Sequence, residues 1–143
     1  MTTADTSFLF SLYGNDEHTS RALSWMKAKR KALTLTPLSE YELSNALRFA
    51  EYRKGIAPGE ATLFWSQFEA DRARGRLAIK ICNLAEVVEE AKRISAMHTL
   101  TGGHRGFDIL HVASALVVHA KEFLTFDANQ KKLAQAEGLV VPL

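Results

Sequence analysis

Four acidic residues, Asp5, Glu42, Asp108 and Asp127, stand where one stretch of the chain hands over to the next. Asp5 follows "TTA" and Asp127 follows "FLTF"; Glu42 lies in the first turn of the helix expected after "ALTLT", and Asp108 opens a helix after "TGGHRG". Each has an ordinary structural explanation. Asp108 and Asp127 are natural helix N-caps, Ser39-Glu40-Tyr41-Glu42 reads as a capping box, and Asp5 could start a turn. As a set they ask for more. Carboxylates about 4–5 Å apart repel by roughly 3–4 kcal/mol per pair at an effective dielectric near 20. A cap contributes only about 1 kcal/mol, and asparagine or serine would cap as well. If the four acids converge, protons or a cation must compensate, and several hard oxygen ligands suit Mg2+ or Mn2+.

Convergence depends on the elements that carry them. "MTTAD" reads as a short strand, followed by a helix from about Glu17 to Arg30, and "ALTLT" as a second strand stopped by Pro37. A helix runs from about Glu40 to Lys54, and another from near Pro58 to Gly75 with Ala61, Phe64, Trp65 and Phe68 at helical spacing. "RLAIKIC" alternates as a strand, "LAEVVEEAKRISAMHTL" reads as a helix, and helix, strand and helix follow from Phe107 to Gly138, with "GLVVPL" as a last strand. Strands separated by helices predict an α/β domain spanning residues 1–143, with a parallel sheet covered by helices on both faces. Ligands of such sheets bind beyond the carboxyl ends of the strands. Those ends are where the acids fall, and none of them carries a glycine-rich phosphate loop.

Composition narrows the setting. The 143 residues are 47% hydrophobic and 24% charged, an ordinary globular balance. The lone Cys82 cannot form an internal disulfide, and no Cys/His pair has zinc-site spacing. "SFLFSLY" is too short for a secretory signal, and no apolar run approaches the roughly twenty residues that cross a bilayer. The expectation is a soluble, cytoplasmic protein without membrane contact. Net charge is +2, but with four acids sequestered the 18 basic residues would face only 12 acidic ones. The basic clusters "KAKRK", Arg48 with Arg53 and Lys54, and "DRARGR" also suit solvated helix ends.

"ADTSFLFSLY", "LSEYELSNALR", "GFDILHVASAL" and "FLTFDANQKKLA" resemble, in order and spacing, the acidic motifs of PIN-domain ribonucleases, and among them the VapC-type toxins of toxin–antitoxin modules. The resemblance runs from Thr3 to the carboxyl terminus. It implies a three-layer α/β/α sandwich around a parallel sheet and a site for Mg2+ or Mn2+ held by Asp5, Glu42, Asp108 and Asp127. Thr125 matches the hydroxyl of the family's T-x-D pattern, Ser7 the small polar residue near the first acid, and Asn45 the "NAL" after the second. Asp5 and Asp108 are expected as direct ligands, Glu42 and Asp127 as ligands directly or through water, and Thr125 and Ser7 as groups that orient them. The implied reaction is hydrolysis of an RNA phosphodiester by a metal-activated water, leaving 5′-phosphate ends. An antitoxin and a second copy of the chain are the implied partners.

Other signals compete. His111 lies one helical turn after Asp108, where a metal or substrate role is conceivable but a packed core histidine is the plainer expectation. His104 and Arg105, just before Asp108, could touch a phosphate or simply be solvated. The Phe64, Trp65 and Phe68 stripe could stack bases but reads first as core or an oligomer contact. A haloacid-dehalogenase-type phosphatase would want an aspartate at position 7, where serine stands, and a receiver domain an acidic pair after the first strand. A PIN-like binding module without catalysis, or an RNA-processing nuclease that is not a toxin, remain as alternatives.

Overall fold

Phe123 and Leu124 are neighbours on one short strand, yet they pack into two different hydrophobic clusters. Successive strand side chains point to opposite faces, so a strand buried this way must be covered on both sides. The computed structural model describes residues 1–29 and 31–143. Arg30, the expected end of the second helix, lies outside the described residues.

The elements run β1 (Thr2–Ala4), α1 (Thr6–Tyr13), α2 (Thr19–Ala28), β2 (Leu33–Leu35), α3 (Pro37–Tyr52), α4 (Glu60–Ala73), β3 (Leu77–Ile79), α5 (Leu84–Gly102), α6 (Gly106–Val117), β4 (Glu122–Leu124) and α7 (Ala128–Ala136). β1 pairs in parallel with β4, and β2 in parallel with β3. β1 also lies alongside β2, which gives the order β3–β2–β1–β4. Near the seam between the pairs, the Ala4 carbonyl accepts a hydrogen bond from Ser39 Oγ at 3.3 Å. One cluster joins Ala4, Leu33, Leu35, Leu77 and Leu124 to Phe8, Leu9, Leu43, Leu47 and Phe68 of the first helices. The other joins Phe123 to Val87, Ile94, Val112 and Leu133 of α5, α6 and α7. The result is the expected α/β sandwich with parallel strands.

Three differences from the sequence expectation have local causes. "SFLFSLY" forms most of α1, a helix absent from the sequence reading; none of its residues is exposed, so no solvent-facing stripe marks its period. α3 begins at Pro37 rather than Glu40, with Thr36 as N-cap and proline in the first turn, where its missing N–H costs nothing. The carboxyl-terminal strand shrinks to a single parallel bridge between Glu122 and Val140. Pro142 follows two residues later and cannot donate to a longer ladder.

Candidate active site

The strand order reverses between β1 and β4: the chain leaves β1 toward β2 on one side and returns to β4 on the other. That is the switch point at which parallel sheets open a crevice. Asp5 and Asp127 follow these two strands. Asp5 is the N-cap of α1, its backbone extended, and accepts the Phe8 N–H at 3.0 Å. Its oxygens also accept hydrogen bonds from Thr125 Oγ1 at 2.6 Å and from Ser7 Oγ at 2.8 and 3.0 Å. Asp127 caps α7, accepting from the N–H groups of Asn129 and Gln130 at 2.8 Å each. Thr125 links the two, because its Oγ1 also accepts the Asp127 N–H at 3.0 Å. Ser7 reaches across in the same way, accepting the Phe126 N–H at 2.9 Å.

Asp5 is 1% exposed. Burial disfavours its charge and pushes its carboxyl up to about 6, against the opposing pull of the bonds from Thr125, Phe8 and Ser7 and of the nearby His111. Three hydrogen-bond donors, Phe8 N–H and the Thr125 and Ser7 hydroxyls, therefore leave this carboxylate undercompensated.

Glu42 projects from α3 toward α1 and α6. Thr6 Oγ1 donates to its Oε2, and His111 Nε2 contacts the same oxygen. Burial works against the Glu42 charge, but the bonds from His111 and Thr6 and the positive influence of His111 and Arg105 outweigh it, holding the carboxyl below its ordinary value. The capping-box explanation of Glu42 fails: Thr36 caps the helix, and Ser39 sits inside it with its hydroxyl at the sheet seam. Glu40, the alternative acid, is turned to α4, where it pairs with Arg72 at 2.7 Å.

Asp108 does not cap α6 either. Position 105 is the N-cap, without a side-chain bond, and Asp108 lies in the first turn. There it accepts from Arg105 Nε at 3.2 Å, and Gln130 Nε2 of α7 bonds its carbonyl at 3.2 Å. The Arg105 guanidinium titrates above its ordinary value because of this bond and the charge of Asp108, with further contributions from Asp127 and Glu42. Arg105 thus pairs with Asp108, while His111 touches both Glu42 and Thr6, the residue after Asp5.

Asn45, three residues beyond Glu42, is exposed on α3 and outside this web of bonds. Thr6 and Gln130 belong to the site without having been legible in the sequence; a hydroxyl directly after the first acid was the available signal for Thr6. His111 is 3% exposed, as a core histidine would be, yet it touches Glu42, and its Nδ1 is buried without a partner among the described residues. Phe68 is fully buried, and Phe64 and Trp65 pack against the core, so that stripe is structural.

The donors fit a divalent cation in kind: hard carboxylate oxygens, one of them buried and undercompensated. Among the described residues, however, no three His, Cys, Asp or Glu side chains stand together as a ready ligand set. Arg105 and His111 hold the positions beside Asp108 and Glu42.

A family model described as "PIN domain" matches residues 3–136. No curated protein matches the chain. Among solved structures, VapC20 of Mycobacterium tuberculosis, a sarcin-ricin loop cleaving toxin, is 18% identical with a TM-score of 0.71, over 98% of this chain and 97% of that one. FitAcB from Neisseria gonorrhoeae is 15% identical with a TM-score of 0.66, over 99% and 96%. A toxin-antitoxin complex from Klebsiella pneumoniae is 15% identical with a TM-score of 0.63, over 100% and 98%. At these identities the likeness is one of fold.

Proposed function

The chain belongs to the PIN domain family, and from that premise we propose that it is a metal-dependent endoribonuclease and the toxin of a toxin–antitoxin pair. The carrying observation is that one buried hydroxyl, Thr125 Oγ1, joins Asp5 and Asp127 at the ends of the paired strands β1 and β4, with Thr6, next to Asp5, bonded to Glu42. Acids from separate elements gathered at a sheet switch point are costly unless a cation or a substrate makes use of them.

Asp5 and Asp108 would hold Mg2+ or Mn2+, with Glu42 and Asp127 directly or through water. The ion would supply a water of lowered pKa and positive charge against the transferring phosphate. The chain's own groups prepare this. Thr125 and Ser7 fix the oxygens of Asp5, and Thr6 and His111 fix Glu42. Asp127 is held by the first N–H groups of α7. Arg105, its side chain 80% exposed, is placed to exchange Asp108 for a substrate phosphate.

The structural neighbours include a sarcin-ricin loop cleaving toxin and a toxin–antitoxin complex, which supports an RNA substrate and a cognate antitoxin here. A homodimer and a cytoplasmic place of action belong to the same proposal. No described helix is long and apolar enough to cross a membrane.

The test is incubation of total RNA with the protein and Mn2+ or Mg2+, and with EDTA, followed by mapping of the new ends. Metal-dependent cuts with 5′-phosphates, lost in Asp108→Asn, are expected. RNA that stays intact with both metals would overturn the proposal. A PIN-like module that binds RNA without cutting would retain binding under those conditions.

A further inference from the structure

Each of two candidate acids has an aromatic residue directly before it: Tyr41 before Glu42 on α3, and Phe107 before Asp108 on α6. The two rings meet across the helices, with centroids 6.3 Å apart and planes inclined by 36°. Phe107 lies 6.1 Å from the His111 ring, which in turn touches Glu42. Unlike the Phe64, Trp65 and Phe68 stripe, this pair faces solvent, Tyr41 at 59% exposure and Phe107 at 38%.

We propose that Tyr41 and Phe107 form a platform on which an unpaired RNA base beside the cut position stacks. This rests on the ribonuclease reading above and names the substrate feature that its site would grip. An exposed aromatic face accepts any base, since every base presents a π surface. The surroundings favour a nucleotide over an apolar partner. Glu42 and Asp108 follow the two rings directly in the chain, and Arg105 stands two residues before Phe107 with its side chain 80% exposed. A stacked base would bring its own phosphate toward that guanidinium, which supplies the charge complement of a nucleotide. The rings are tied to the candidate acids in space through His111, which lies 6.1 Å from the Phe107 ring and touches Glu42.

The protein with Mn2+ is first given total RNA and its cut position mapped. A synthetic single-stranded fragment spanning that cut is then made intact and with an abasic ribose on either side. Wild type should lose about tenfold in kcat/KM on one of the two abasic fragments. Tyr41→Ala and Phe107→Ala should lose about as much on the intact fragment and little more on that abasic one. Tyr41→Phe and Phe107→Tyr, which keep a π face, should restore cutting, and unchanged thermal midpoints will show that the alanine variants are folded. Equal cutting by wild type and the alanine variants overturns the platform and leaves the ribonuclease intact. The platform also falls if the alanine losses are as large on both abasic fragments, or if the variants change only the association state in sedimentation, which would assign the rings to a protein contact. A wild type that cuts no RNA overturns the ribonuclease itself, and the platform with it.

Discussion

Thr125 Oγ1 donates to Asp5 Oδ2 at 2.6 Å across the ladder that joins β1 and β4, and accepts the Asp127 N–H at 3.0 Å. A single buried hydroxyl thereby ties the acid at the end of one strand to the acid at the end of its neighbour. The register that aligns Ala4 with Leu124 puts Asp5 and Thr125 next in line on their strands.

Thr125→Val keeps the shape of this residue and removes the hydroxyl. A buried carboxylate and a part-buried N–H each lose a partner, so stability should fall by about 1–3 kcal/mol in urea unfolding. Thr125→Ser should recover most of it. A valine variant as stable as wild type would mean that the hydroxyl does not anchor the two acids.

Asp5 sets a pH dependence. Its carboxyl releases its proton at about 6 in the folded chain and near 3.8 in the unfolded one, so the fold binds the extra proton between those values. The contribution of this residue is therefore most favourable below pH 3.8 and is lost as pH rises through about 6. In EDTA, Asp5→Asn should be more stable than wild type above pH 6, by up to about 3 kcal/mol, with the difference vanishing near pH 4. A difference that is flat with pH would show that the buried charge is fully compensated.

Asp108→Asn should change metal-free stability by less than about 1 kcal/mol, since Asp108 caps nothing and its partner Arg105 is exposed. Wild type should gain RT ln(1 + [L]/Kd) on Mn2+ titration followed by thermal unfolding. The variant should gain little. Equal gains in both proteins would remove Asp108 from the ligand set.

Asp127 can be divided into two roles. Asp127→Asn keeps an oxygen for the N–H groups of Asn129 and Gln130 and should unfold near the wild-type midpoint, whereas Asp127→Ala should lose about 1 kcal/mol. Both should lose RNA cleavage. Full activity in the asparagine variant would leave Asp127 as a cap alone.

Much of the frame was legible in the sequence. "ALTLT" and "RLAIKIC" carry strands, and Asp127 caps the helix it precedes, because strand alternation and capping are decided by residues within a few positions of each other. α1 was not legible, since a helix buried on nearly every side has no polar stripe to reveal its period. Glu42 and Asp108 also looked like caps in the sequence. The true start of α3 at Pro37 moved Glu42 from the first turn further into its helix, and the N-cap of α6 at position 105 put Asp108 inside its helix, so neither carboxylate caps.

The chain's local chemistry determined which acids, in what order, stand at the ends of which elements. It could not determine their partners. Thr6 and Glu42 are 36 residues apart, Glu42 and His111 69, and Asp5 and Thr125 120. Such pairs exist only once the parallel ladder brings β4 back beside β1 and α6 over α3. Their strength comes from the burial that this packing creates, because the same groups in water would be screened and hydrated independently.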